Sequence, residues 1–170
     1  MATIASQPCR FVKSEYGDAG LYETIVNNST AVIDGELGVL TNDGFTTCGA
    51  NPTVITHLAL KASAAVGTNT IPGDTTAYQS FLKIRRGDIF EMNMSTAGVC
   101  TAATAVIAAS DIDAQADYGI TQDTTTGYWT VDTAKSGANQ VLTVIKGVGT
   151  FGDVGQRVLV KFLATTAGAL

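Results

Sequence analysis

Charged side chains are scarce in this chain of 170 residues. Lys, Arg, Asp and Glu make up only 15% of it, against roughly 25% in an average globular domain. The net charge is −5 at pH 7, so the overall field repels phosphate groups. Arg85 and Arg86 are the single pair of adjacent cations. We therefore expect no nucleic-acid partner.

Histidine occurs once, which excludes most catalytic and metal-binding arrangements. His57 alone cannot build a site that needs two histidines, and a serine or cysteine nucleophile would require His57 as its base. No Gly-x-Ser-x-Gly elbow is present to expose a serine. We predict that His57 is a strand residue that faces solvent or an interface. We further predict that the chain is not an enzyme, with no catalytic residue, no metal and no cofactor.

Cysteine and long apolar runs are also sparse. Cys9, Cys48 and Cys100 are odd in number and have no paired spacing, which favours reduced thiols made in a cytosol. One bridge, between Cys48 and Cys100, stays open as an exception. No run approaches 18 apolar residues, and residues 1–10 lack the apolar core of a signal peptide. We expect no contact with a membrane.

Small, uncharged residues are abundant instead. The chain has 23 alanines, 25 threonines and 18 glycines. A surface rich in these residues and poor in Lys and Glu loses its water at low cost. This composition favours a protein that packs against copies of itself or against a partner.

Alternation with a period of two residues indicates strands. In residues 89–94, Phe90, Met92 and Met94 fall on one face and Glu91 and Asn93 on the other, which predicts a half-buried strand. Residues 157–163 alternate in the same way, and 141–148 are apolar on both faces, as in a central strand. Further strand candidates cover residues 11–14, 21–27, 37–41, 53–61, 117–121 and 128–131.

Turn-forming clusters rich in Gly, Asn and Asp separate these candidates at short intervals, as in an all-β sandwich or barrel. We predict a single β domain of short antiparallel strands over residues 21–170, preceded by an extended N-terminal arm over 1–20. Residues 64–79 are polar and read as an exposed loop. Residues 102–116 allow at most one short helix.

Two short motifs match known functional patterns, but neither predicts a function here. Residues 147–152 match the pattern Gly-x-Gly-x-x-Gly, but a strand rather than a helix follows, which favours a hairpin over a dinucleotide site. The tripeptide Arg86-Gly87-Asp88 lies at a strand entrance. A weak internal repeat relates 35–60 to 87–120 and predicts two similar hairpin units.

Two motifs in which an aspartate follows a glycine, at residues 87–88 and 152–153, belong to a set that resembles a known family. Arg86-Gly87-Asp88-Ile89-Phe90, the turn at Ala97-Gly98-Val99 and the strand Tyr118-Gly119-Ile120 resemble sequences of tailed-bacteriophage capsid decoration (cement) proteins. Gly152-Asp153-Val154, before the last strand, is similar to the late strand entrance of that group. The likeness covers residues 30 to 163 loosely.

This resemblance implies a non-enzymatic virion protein on the capsid exterior, made in the host cytoplasm. It would bind the major capsid protein and copies of itself, with a trimer as one form, and would hold capsid subunits together against internal DNA pressure. Aromatic and cationic side chains are common interface anchors. The predicted contact residues are Arg10, Phe11, Lys13, Tyr16, Arg85 and Arg86.

Two alternatives remain open. The composition equally suits a tail or fibre component of a phage. Tyr128 and Trp129, near a turn, are compatible with a jelly-roll carbohydrate-binding module, unless Trp129 belongs to the core.

Overall fold

The protein is almost entirely β, as predicted. The computed structural model describes residues 2–17, 19–26, 31–41, 44–62, 78–135 and 139–163. These residues form eleven strands and one short helix, in the order β1 (Arg10–Ser14), β2 (Leu21–Val26), β3 (Leu37–Thr41), β4 (Gly44–Thr47), β5 (His57–Ala59), β6 (Tyr78–Lys83), β7 (Asp88–Ser95), α1 (Ala109–Asp113), β8 (Asp117–Gln122), β9 (Trp129–Asp132), β10 (Leu142–Val148) and β11 (Arg157–Phe162).

Five of the strands close into a small barrel. The first sheet has the order β1-β7-β11-β10-β8-β9, and β9 also pairs with β7. The β7–β9 pair is parallel and the other pairs are antiparallel. An odd number of strands with otherwise antiparallel neighbours requires one such parallel pair to close. β1 lies beside the first half of β7, on the edge that β9 uses further along.

β7 is buried along its whole length, so the prediction of a half-buried strand was wrong. The apolar face lies in the core as expected. The polar face is covered because Glu91 binds Arg10 and Arg157, while the Asn93 amide donates to the backbone oxygens of Ala5 and Gly155. Alternation identifies the two faces of a strand, but it does not show that a polar face is later paired and covered.

The second sheet has the order β2-β6-β5-β3-β4, with antiparallel pairing throughout. It carries its own small core, in which the rings of Phe45 and Phe81 stack with centroids 4.3 Å apart. Gly38 on β3 leaves room for this stack, since a Cβ at residue 38 would lie 2.4 Å from Phe45 Cζ. A glycine is therefore required there by contact.

One larger apolar cluster contains side chains from both sheets. Barrel residues such as Phe90, Met92 and Val160 share it with Leu58 and Leu82 of the second sheet. The alternation of residues 89–94 and 157–163 predicts one apolar, buried face in each strand, and this is confirmed for Phe90, Met92, Val158, Val160 and Phe162.

Trp129 of β9 is fully buried in this cluster, and its indole Nε1 donates to Glu36 Oε1 at 2.8 Å. Glu36 immediately precedes β3, so this bond links the two sheets. The core interpretation of Trp129 is confirmed.

The N-terminal segment is extended, but it lies against its own domain. The Ile4 amide donates to the Val154 carbonyl, the Val154 amide to the Ala2 carbonyl, and the Gln7 amide to Asn93 Oδ1. Arg10–Ser14 then continues as strand β1. The strand candidate at residues 11–14 thus lies within β1, which gains its backbone hydrogen bonds by joining β7.

Three smaller expectations have mixed outcomes. The short helix lies within the predicted range 102–116. The loop predicted over 64–79 falls outside the described residues, except that Tyr78 and Gln79 begin β6. The proposed repeat is wrong for its second hairpin, because the chain after Gly98 forms turns, with only an isolated bridge from Thr96 to Val99.

Two further features concern cysteine and helix length. Cys9 and Cys100 are buried, Cys48 is half-buried, and all three are free thiols. Within the described residues, no helix reaches the length and apolarity needed to cross a membrane.

A candidate partner-binding face

The structure places the predicted contact residues along β1 and at the start of β7. Arg10, Phe11 and Lys13 lie on β1, and Tyr16 lies in the turn that follows it. Arg85 and Arg86 lie just before β7. The two segments meet because Ser14 pairs with Asp88 and the Glu15 amide donates to the Gly87 carbonyl at 2.9 Å.

Two of the six residues serve the fold itself. The Phe11 ring is half-buried and meets the Phe90 ring edge-to-face, with centroids 5.9 Å apart. The Arg85 guanidinium contacts the carboxylate of Asp88 at 3.3 Å and the Ala19 carbonyl at 3.3 Å. Asp88 is buried and also accepts the Arg85 amide at 2.9 Å. The Asp of the Arg-Gly-Asp tripeptide is therefore used inside the turn.

Arg10 belongs to an ion-pair network that is only partly exposed. Its Nε and terminal nitrogen lie 2.9 and 2.6 Å from Glu91 Oε2. Arg157 Nε lies 2.6 Å from Glu91 Oε1, in a close ion pair with poor hydrogen-bond alignment. Burial lowers the pKa of Arg157, while the Glu91 charge opposes that shift. Two guanidinium groups thus share one carboxylate, and the Arg10 side chain is 65% exposed.

The remaining predicted residues are available at the surface. Lys13 and Arg86 are exposed, and within the described part of the chain neither forms an ion pair. Tyr16 is 68% exposed and Val12 is 42% exposed. We call Arg10, Val12, Lys13, Tyr16 and Arg86 the cationic face. It combines positive charge with exposed apolar surface, which favours an acidic protein partner.

A second constellation was missed by the sequence analysis. His57 is buried rather than exposed, so the prediction that it faces solvent or an interface was wrong. Its Nδ1 lies 2.8 Å from Thr56 Oγ1 and its Nε2 lies 3.0 Å from Glu23 Oε2. Lys83 Nζ lies 3.5 Å from the other oxygen of Glu23. The hydrogen bond from His57 lowers the pKa of Glu23.

Thr56, His57 and Glu23 form a hydrogen-bonded chain whose members are also tied to neighbouring strands. Thr56 Oγ1 already accepts the Leu40 amide at 3.0 Å. His57 pairs with Lys83 across β5 and β6, and Glu23 lies on the neighbouring strand β2. The network ties the end strand β2 to β5. No local sequence signal could have found it, because Glu23 and His57 meet only through strand order.

Metal ligands do not cluster in the residues that the structure describes. Burial raises the pKa of Cys9, Cys48 and Cys100 to about 12 in each case, so these thiols are weak nucleophiles and weak ligands. The carbohydrate-binding alternative rested on Tyr128 and Trp129; Trp129 is buried, and Tyr128 is half-buried.

Comparisons with protein-family models, with curated proteins and with solved structures found no match for this chain.

Proposed function

We propose that this chain is a non-enzymatic structural protein of a virion, which decorates the outer surface of a capsid and stabilises the lattice of major capsid subunits. The observation that carries this proposal is the cationic face on a chain whose net charge is −5. A protein of this charge needs a local cationic surface to bind an acidic lattice.

The sequence resemblance adds support at three strand positions. Gly87-Asp88 stands at the entrance of β7, Tyr118-Gly119-Ile120 lies within β8, and Gly152-Asp153-Val154 precedes β11. In the decoration proteins that the sequence resembles, each of these motifs opens a strand or lies within one. The Gly87-Asp88 motif has a physical reason, because the Asp88 carboxylate accepts the Arg85 amide and so closes the turn before β7.

The mechanism would be mechanical rather than chemical. Each copy would contact neighbouring capsid subunits and so oppose their separation. We expect self-association on the lattice, with a trimer as one form. The His57 network would serve the fold of the second sheet and take no part in a reaction.

Capsid binding tests the proposal directly. The purified chain is mixed with undecorated capsids of its phage, and the bound fraction is measured after sedimentation at low and at high salt. We expect saturable binding that weakens as salt screens the charges. Binding to isolated tails or fibres, with none to capsids, would favour the tail alternative and overturn the decoration role.

Single charge reversals identify the contact. Lys13→Glu and Arg86→Glu, each made alone, should weaken capsid binding, because both side chains are exposed and neither has an ion-pair partner among the described residues. Lys146→Glu changes the net charge by the same amount and is the matched control, at an exposed lysine on β10 outside the cationic face. A loss in Lys146→Glu equal to that in the other two variants would indicate a general charge effect and not this face.

A further inference from the structure

A pocket of about 280 Å³ opens beside the cationic face. The turn after β1 contributes Glu15 and Tyr16, the turn before β7 contributes Arg86, and β10 and β11 contribute Thr143 and Lys161. The pocket therefore lies where four separate segments of the barrel end meet.

Most polar groups of the pocket already have partners. Lys161 Nζ lies 2.7 Å from Glu15 Oε1, and the Thr143 hydroxyl donates to the carboxylate of Asp117. Arg86 differs, because it forms no ion pair with any described residue. Among the described residues, the pocket wall thus carries one cation outside an ion pair, and Glu15 Oε2 would lie 3.4 Å from a Cβ at the neighbouring Gly87.

Tyr16 provides an aromatic wall that lies against a backbone turn. A Cβ at residue 87 would lie 2.9 Å from Tyr16 Cε2, and Gly87 has a φ of +88°. The ring therefore packs directly on the backbone of Gly87, next to Arg86. The Tyr16 amide donates to Ser14 Oγ at 3.3 Å, which holds the turn. The Tyr16 hydroxyl makes no hydrogen bond within the described residues.

We propose that this pocket receives a carboxylate side chain, an Asp or Glu, of the protein partner. Arg86 binds the carboxylate through its fork of N–H donors, and the Tyr16 ring and hydroxyl form the adjoining wall. This inference rests on the proposed function, since it names the chemistry by which that partner is recognised. A single guanidinium, outside any ion pair among the described residues, matches the single charge of a carboxylate better than the higher charge of a phosphate group.

The test uses three small probes and the intact chain. Amide chemical shifts of the isotopically labelled protein are followed during titration with acetyl-Ala-Glu-Ala-amide, with acetyl-Ala-Gln-Ala-amide and with inorganic phosphate. We expect the glutamate peptide to shift residues 15–17, 86–88 and 161–163, with much smaller effects of the glutamine peptide and of phosphate. Equal shifts with the glutamine peptide, or stronger shifts with phosphate, would overturn the assignment of a carboxylate.

Substitutions then locate the effect. Arg86→Glu should weaken binding of the glutamate peptide by at least about tenfold, as expected when one partner of a close charge pair is reversed. Arg86→Lys should retain part of the affinity, and Lys146→Glu should retain all of it. Unchanged affinity in Arg86→Glu would refute the role of Arg86.

The same variants separate this inference from the proposed function. If the wild type binds the glutamate peptide but no capsid, the decoration role fails and the pocket assignment stands. If capsids bind the wild type and Arg86→Glu equally well, the decoration role stands and this pocket is not the contact.

Discussion

The Glu36 carboxylate accepts a hydrogen bond from the Trp129 indole at 2.8 Å and so joins the second sheet to the barrel. Gln122 Nε2 donates to the same oxygen at 3.3 Å. Both Glu36 and Trp129 are buried. The Glu36 carboxyl group thus lies between the two sheets, and burial there raises its pKa.

Glu36→Gln should become more stable relative to the wild type as pH rises from about 4 to about 7, across the region above the ordinary glutamate pKa of about 4.3. Because the pKa of Glu36 is raised in the folded state, ionisation favours the unfolded chain, and the stability present at low pH is lost as pH rises. The amide side chain of the variant cannot ionise but keeps an oxygen acceptor. Urea unfolding of both proteins at several pH values measures the difference, and parallel curves would contradict it.

The Arg10–Glu91–Arg157 network predicts two unequal losses. Glu91→Ala should reduce the free energy of unfolding by about 3 kcal/mol, because Arg157 is left nearly buried without its counter-charge. Arg10→Ala is the matched variant and should cost less than about 1 kcal/mol, since the Arg10 side chain is mostly exposed. Equal losses in denaturant unfolding would show that Arg157 does not depend on Glu91.

Gly38→Ala should destabilise the second sheet by about 2 kcal/mol, the usual scale for overpacking a dense core. The new methyl group would lie 2.4 Å from both Phe45 Cζ and the Thr46 carbonyl oxygen, so the Phe45–Phe81 stack must shift. Gly49→Ala serves as the control, because its Cβ would meet no atom within 4 Å and its φ is ordinary. Thermal unfolding decides, and similar melting temperatures for both variants would contradict the steric argument.

The thiols should react slowly in the native protein. With pKa values of about 12, only about one thiol in ten thousand is ionised at pH 8. Cys9 and Cys100 are also buried. We expect little reaction with Ellman's reagent until denaturant is added, and then three thiols per chain. A native mass two hydrogens lower would reveal a bridge, the Cys48–Cys100 pair being the one that sequence reasoning left open.

Much of the strand pattern was accessible from the sequence, because local alternation encodes it. Residues 37–41 were predicted with the bounds that β3 has, and 157–163 differ from β11 by one residue. β6 was missed because Phe81 and Leu82 are consecutive apolar residues that enter two different cores. Such a strand does not alternate between apolar and polar residues, so a search for alternation cannot distinguish it from the end of a loop.

The candidate face was only partly accessible. The residue types of Lys13, Tyr16 and Arg86 indicated a contact, but their proximity depends on the pairing of β1 with β7, across more than 70 positions of sequence. The same dependence hid the structural roles of Phe11 and Arg85. Composition indicates which side chains are suited to an interface, whereas pairing decides which of them remain free.

The positions of β1 and β11 on the two sides of β7 determine how the domain responds to a pulling force. β1 and β11 both run antiparallel to β7, so they run parallel to each other on its two sides. β1 begins with Arg10 beside Glu91, in the middle of β7, whereas β11 runs on to Lys161 beside Ile89, near the start of β7. Tension between the two chain ends therefore pulls β1 and β11 past β7 in opposite senses. The ladder hydrogen bonds on both sides of β7 are then sheared together instead of being peeled open one at a time.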